Sequence, residues 1–158
     1  MERRQEQSKG ANDIEEIIES IGKLHSLKEL KVEAFAPQGR YAEKIALAFR
    51  EKLKTAQLRK FFDSLRKIER DLEKKPWDSL KAEFLMLEPR LAASVARKLV
   101  PDQFYRLMKV CFDKVNNAAG EGEKKESFTR LMQFLEAIVA YHKYHEEKAR
   151  EEKSRERR

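Results

Sequence analysis

A chain of 158 residues and 18.7 kDa is enough for one domain with a core of its own and too little for two. Hydrophobic residues make up 41% and charged residues 40%, which excludes wholesale disorder, and the absence of any run of about 18 apolar residues excludes a membrane span. The net charge is +7, and the single cysteine, Cys111, excludes an intrachain disulfide or a multi-cysteine zinc site and suits a reducing cytoplasm.

Met1-Glu2-Arg3-Arg4-Gln5 leads into no apolar stretch of the kind a secretory signal needs. With two threonines and six valines against abundant Leu, Lys, Glu, Ala and Arg, the composition favours helices. Asn12 or Asp13 can cap a first helix carrying Ile14, Ile17, Ile18 and Ile21, with its end near Gly22. A poorly defined, partly helical segment follows over 25–36, and Pro37 with Gly39 reads as a connector. Ile45, Ala48 and Phe49 fall at helical spacing over 41–52.

Thr55 is a plausible N-cap for the next helix, which runs to about Glu73 with Leu58, Phe61, Phe62, Leu65, Ile68 and Leu72 on one stripe. Pro76 breaks that run, and Asp78 can cap a short helix with Leu80, Phe84, Leu85 and Leu87. Pro89 and Pro101 stand where new helices can begin, since a missing N–H costs least in a first turn. The helices expected from them cover 89–99 and 102–117. Gly120 and Gly122 mark the clearest turn, and a last helix starts near Ser127. The fold class is all-α: a compact bundle of about five to six helices with a loose N-terminus and a charged C-terminal helical extension. The division expected is 1–40 loosely ordered or partly helical, 41–145 the binding domain, and 146–158 a charged helical tail.

The positive charge is not spread evenly. Residues 50–67 hold seven basic and two acidic side chains, and residues 90–114 hold six and two. The tail from 146 holds six and five, and reads as a solvated helix end with no strong pull on phosphate. Concentration in two stretches fits a polyanion-binding surface better than diffuse solubilising charge. On the helix from Thr55, Arg59, Lys60, Arg66, Lys67 and Arg70 centre opposite the apolar stripe, with Asp63 as the acid among them. After Pro89, the strip Arg90-Ala93-Ser94-Arg97 sets small residues between two guanidinium groups. That spacing suits close approach of a sugar-phosphate backbone, or equally of a neighbouring helix.

The last helix carries two adjacent apolar stripes. Phe128, Leu131, Met132, Leu135, Val139 and His142 form the first, and Phe134, Ile138, Tyr141 and His145 the second. Such a helix either runs through the middle of a bundle or turns its second stripe to another polypeptide, and self-association is expected on that ground. His142, His145 and Glu146 have helical metal-ligand spacing, but no matching Glu-x-x-His lies elsewhere, so they read as a polar tip. Cys111 reads as core packing. With no phosphate-binding glycine loop and no nucleophile elbow, the chain reads as a binding protein without catalytic residues, cofactor or metal.

Four segments appear in an order that resembles a known family: residues 41–46 (YAEKIA), 54–62 (KTAQLRKFF), 87–97 (LEPRLAASVAR) and 136–144 (EAIVAYHKY). Together they resemble the small subunit of type III-A CRISPR effector complexes, the Csm-complex small subunit, over about 41–144. Ala93 and Ala96 stand where that family usually has Tyr and Gly. The resemblance implies a cytoplasmic, non-catalytic helical subunit stacked in several copies along a ribonucleoprotein filament. It would contact the backbone of guide RNA and target RNA and associate with the other subunits. The family's basic positions fall on Arg59, Lys60, Arg90 and Arg97, and charge placement adds Lys54, Arg66, Lys67 and Lys98. The alternative is a structural helical adaptor that builds a multiprotein complex without touching RNA.

Overall fold

Hydrophobic periodicity of about 3.6 residues dominates the sequence, and the computed structural model, which describes residues 2–158 and the side chains of 4–158, turns it into helices throughout. They are α1 (Glu2–Gly22), α2 (Val32–Phe35, a single turn), α3 (Tyr41–Ala48), α4 (Thr55–Leu72), α5 (Trp77–Leu85), α6 (Leu87–Ala96), α7 (Asp102–Asn116) and α8 (Gly120–Glu156). A 3-10 turn (Leu27–Glu29) lies between α1 and α2. Among the described residues there is no strand, so the fold is all-α, with seven helices of eight residues or more.

The spine is α8, 37 residues long, which packs against α3, α4, α7, α2 and the 3-10 turn. Both of its apolar stripes are covered within the chain: Phe128, Leu131, Leu135, Phe134 and Ile138 are all buried. Of the two alternatives left by the sequence, α8 therefore takes the middle of the bundle, and its second stripe supplies no reason for self-association. Phe134 meets Phe35 with ring centroids 5.1 Å apart, so α2 and its connector serve as the lid over that stripe. Trp77 is buried against Phe84 at 5.1 Å and Phe128 at 6.3 Å.

Several helix starts differ from expectation. α1 begins at Glu2, ten residues before Asn12, so neither Asn12 nor Asp13 caps it. Ile14, Ile17 and Ile21 anchor α1 on α3 and α7, and its exposed polar residues before Gly10 extend an already nucleated helix. A Cβ at Gly10 would stand 3.2 Å from Ala48 Cβ, and that close approach brings α1 onto α3. The residues of 1–40 thus include a 21-residue helix with a buried face. Thr55 is the first residue inside α4, with no side-chain cap, and α5 begins at Trp77, ahead of Asp78. α8 begins at Gly120, whose φ of +73° makes the turn from α7.

α6 stops three residues earlier than the sequence suggests. Its carbonyls are closed by Lys98 N–H donating to Val95 at 2.9 Å and Leu99 N–H donating to Ser94 at 3.0 Å. This is the Schellman arrangement, with Lys98 in the left-handed position at φ +62°.

Candidate nucleic-acid interface

Two helices from the two basic stretches line an open groove of about 250 Å³. α4 contributes Gln57, Lys60, Phe61 and Ser64; α6 and the turn after it contribute Leu87, Arg90, Leu91, Ser94, Arg97, Leu99 and Val100. The floor is apolar: Phe61 packs edge-on against Phe104 at 5.8 Å, and Leu91 is buried. Lys60, Arg90 and Arg97 are exposed at the rim, so one cation from the first stretch and two from the second face a common channel. The serines are small and already satisfied, Ser64 donating to the Lys60 carbonyl at 3.0 Å and Ser94 to the Arg90 carbonyl at 3.2 Å. They leave the space between the cations open.

The electrostatics separate these side chains from the basic residues that hold the fold. Arg106 is clamped on Glu15 by two bonds of 2.5 and 2.7 Å, Lys28 pairs with Glu123 at 3.0 Å, and Lys109 with Asp113 at 3.2 Å. Hydrogen bonding to those cations holds the Glu15 and Glu123 carboxyls below their ordinary range. Among the described residues, Lys54, Arg59, Lys60, Arg66, Arg90, Arg97 and Lys98 make no ion pair. Lys67, its side chain largely solvated, reaches the half-buried Glu83 at 3.7 Å. Exposed cations of this kind are available to an external anion without first breaking an ion pair, although Arg97 Nε–H donates to the Ala93 carbonyl at 3.4 Å.

The eight candidate residues do not all gather in the groove. Arg59 is one residue, about 100° of helix rotation, from Lys60, and it does not line the channel. Arg66 lies on the same far flank of α4, its guanidinium 5.0 Å from the centre of the Phe62 ring. Lys67 sits one α4 turn beyond Ser64, on the groove side, and Lys98 follows Arg97 in the turn that ends α6. Lys54 is exposed at the start of α4, three residues before Gln57. Sequence reasoning missed Gln57, Ser64 and the apolar floor, because Phe61, Leu87 and Leu91 carry the same periodic signal as any core residue.

The histidines are engaged elsewhere. His142 is 1% exposed; its Nε2–H donates to the Leu53 carbonyl at 2.8 Å, and its Nδ1 lies 3.2 Å from Thr55 Oγ1. Thr55 also donates to Glu146, while His145 meets Glu43 at 2.9 Å. Burial pushes the Cys111 thiol up to about 12, so it packs as a small apolar side chain with negligible thiolate.

A family model described as Csm2 Type III-A matches residues 32–148. The matched span runs from α2 through most of α8 and includes all eight candidate cations. No curated protein and no solved structure matches the chain.

Proposed function

The chain belongs to the Csm2 Type III-A family, the small subunit of the type III-A CRISPR effector complex, and from that premise we propose that it holds RNA backbone in the groove between α4 and α6. It associates with other subunits of that complex. On our reading the bound strands are guide RNA and its paired target, the contacts are to phosphate, and the subunit performs no catalysis. Its place is the cytoplasm, and no helix among the described residues is long and apolar enough to cross a membrane.

The observation that carries this reading is the convergence of Lys60, Arg90 and Arg97, unpaired, on one channel floored by apolar side chains and edged by small ones. Arginine donates two parallel hydrogen bonds to a phosphate, and small neighbours allow the sugar to approach. Phosphate pairing carries no sequence information, which suits a subunit that must accept any guide. Three contacts make a weak site for one copy. Copies stacked along one RNA would gain avidity with no new contact to each phosphate.

The test is RNA binding by fluorescence polarisation across a salt series, for the parent and for Lys60→Gln/Arg90→Gln/Arg97→Gln. Loss of three phosphate contacts to a single strand is expected to reduce the steepness of log K against log salt by about 2. An unchanged affinity and slope would dismiss the groove. If the parent showed no salt-sensitive RNA binding yet still joined the complex, the adaptor reading would replace it.

A further inference from the structure

Net charge hides what the C-terminal tail presents. Its basic and acidic residues nearly cancel in number, but they are not evenly placed: Glu146 and Glu147 at its root pair with Arg150, and beyond them Lys153 and Arg157 share one line. Arg150, Lys153 and Arg157 follow one another at i, i+3 and i+7 and, with Ser154 and Arg158, share one surface. Glu151 and Glu152 lie roughly 100° or more of rotation away from the Arg150–Lys153–Arg157 line, while Glu156 lies about 60° from Lys153 at its edge. Lys148 and Arg155 are interleaved with those acids on the far side. The macrodipole favours cations in a last helical turn, but it is indifferent to face and has faded by Arg150. Lys153, Arg157 and Arg158 make no ion pair among the described residues, and 151–158 are exposed throughout.

The strip also has a fixed position relative to the groove. Glu146 accepts from Thr55 and pairs with Arg150 at 3.3 Å, so the first turn of α4 is tied to the root of the tail. Lys54 therefore stands between them: three residues after it, Gln57 lines the groove, and beside it the tail begins. From Glu146 the helix carries its cations out by roughly 15 Å. The strip has no large apolar side chain to form the core of a protein–protein interface, which favours a polyanion over a folded partner.

We propose that the Arg150–Lys153–Arg157 strip is a second RNA-backbone site, continuing past Lys54 the path of a strand held in the α4–α6 groove. It rests on the RNA reading above and extends it to a segment outside the core of the family match, which ends at residue 148.

The experiment compares three full-length proteins on a long polyuridine RNA across salt: the parent, the tail variant Lys153→Gln/Arg157→Gln, and the groove variant Arg90→Gln/Arg97→Gln. Circular dichroism checks that each is folded. The tail variant is expected to bind several-fold more weakly, with a salt slope shallower by about 1.4, and Lys153→Arg/Arg157→Lys is expected to restore both. A tail variant matching the parent, with the groove variant weakened, would overturn this proposal and leave the groove standing. A weakened tail variant beside an unaffected groove variant would overturn both the groove and the shared path, leaving the tail as a separate RNA site. A parent that binds no RNA would overturn both.

Discussion

Lys98 is the one described non-glycine residue with positive φ, and it closes α6 where glycine is the usual occupant. An L-residue in that conformation carries about 1–2 kcal/mol of steric cost, part of which glycine returns as lost chain entropy. Lys98→Gly is therefore expected to raise the free energy of unfolding by up to about 1 kcal/mol in urea denaturation. Lys98→Ala, which keeps the Cβ, should leave stability near that of the parent. Equal stability of all three would mean that the left-handed turn imposes no cost. The pair also isolates charge from backbone, since both variants lose the cation beside Arg97 and only one relieves the turn. No pattern in the sequence marks this residue: an exposed lysine after an arginine looks like any solvated helix position, and only the bonds from Lys98 and Leu99 back to Val95 and Ser94 reveal the turn.

At the scale of elements, the bundle's end near α3 and α4 is tied together by polar groups. Thr55, taken from the sequence as a cap, turns its hydroxyl away from its own helix to Glu146 and His142 on α8. Glu43 on α3 accepts from the Gly39 amide at 2.8 Å and from His145 at 2.9 Å, while Tyr141 donates to the Ala36 carbonyl at 2.6 Å. Thr55→Val keeps the shape and removes the hydroxyl, leaving Glu146 and His142 short of a partner; about 1–3 kcal/mol of stability should be lost in denaturant titration at neutral pH. The Thr55 bond, and after it the cations nearby, hold the Glu146 carboxyl below its ordinary range. Burial would raise Glu43, but the Gly39 amide and His145 outweigh it and hold that carboxyl low as well. A depressed carboxyl stabilises the fold fully above the ordinary carboxylate range, and this contribution disappears as pH falls through the lower, folded value. Stability should thus fall on acidification below about pH 4, less steeply in Thr55→Val, whose Glu146 has lost its main support. A steeper acid loss in the variant would contradict this assignment.

The same elements show what could be read without coordinates. The stripes of α4 and α7 were legible because Leu58, Phe62, Leu65 and Ile68, and then Phe104, Leu107, Cys111 and Val115, recur at helical spacing and are all buried. The starts of α1 and α8 were not, since residues 4–9 are exposed and 121–126 carry no apolar side chain, so neither leaves a periodic trace. The groove was half legible. Sign and spacing picked out Arg90 and Arg97 as one face, but adjacent residues diverge on a helix, and only the packing of α6 decides that Lys60 rather than Arg59 turns toward them.

For the whole molecule, the decisive element is α8, whose length and doubled apolar surface could have served either a single chain or a pair of chains. The structure packs α3, α4, α2 and the 3-10 turn around α8, sets Phe35 on Phe134, and places Trp77 and Phe84 of α5 against Phe128. This closure leaves Leu85 at 46% and Met86 at 47% exposure, at the corner between α5 and α6, among the largest apolar side chains still open to solvent. A single chain that completes its own core should unfold at a midpoint independent of protein concentration. Phe134→Ala should then cost about 3–5 kcal/mol, the range for a buried phenylalanine whose neighbours cannot collapse into the space, and the cost should be the same in dilute and concentrated samples. Parallel urea titrations over a wide concentration range measure both. If the parent's midpoint rose with concentration and the penalty in Phe134→Ala shrank on dilution, α8 would be completing its core with a second copy, and the intrachain cover over Phe134 would be wrong.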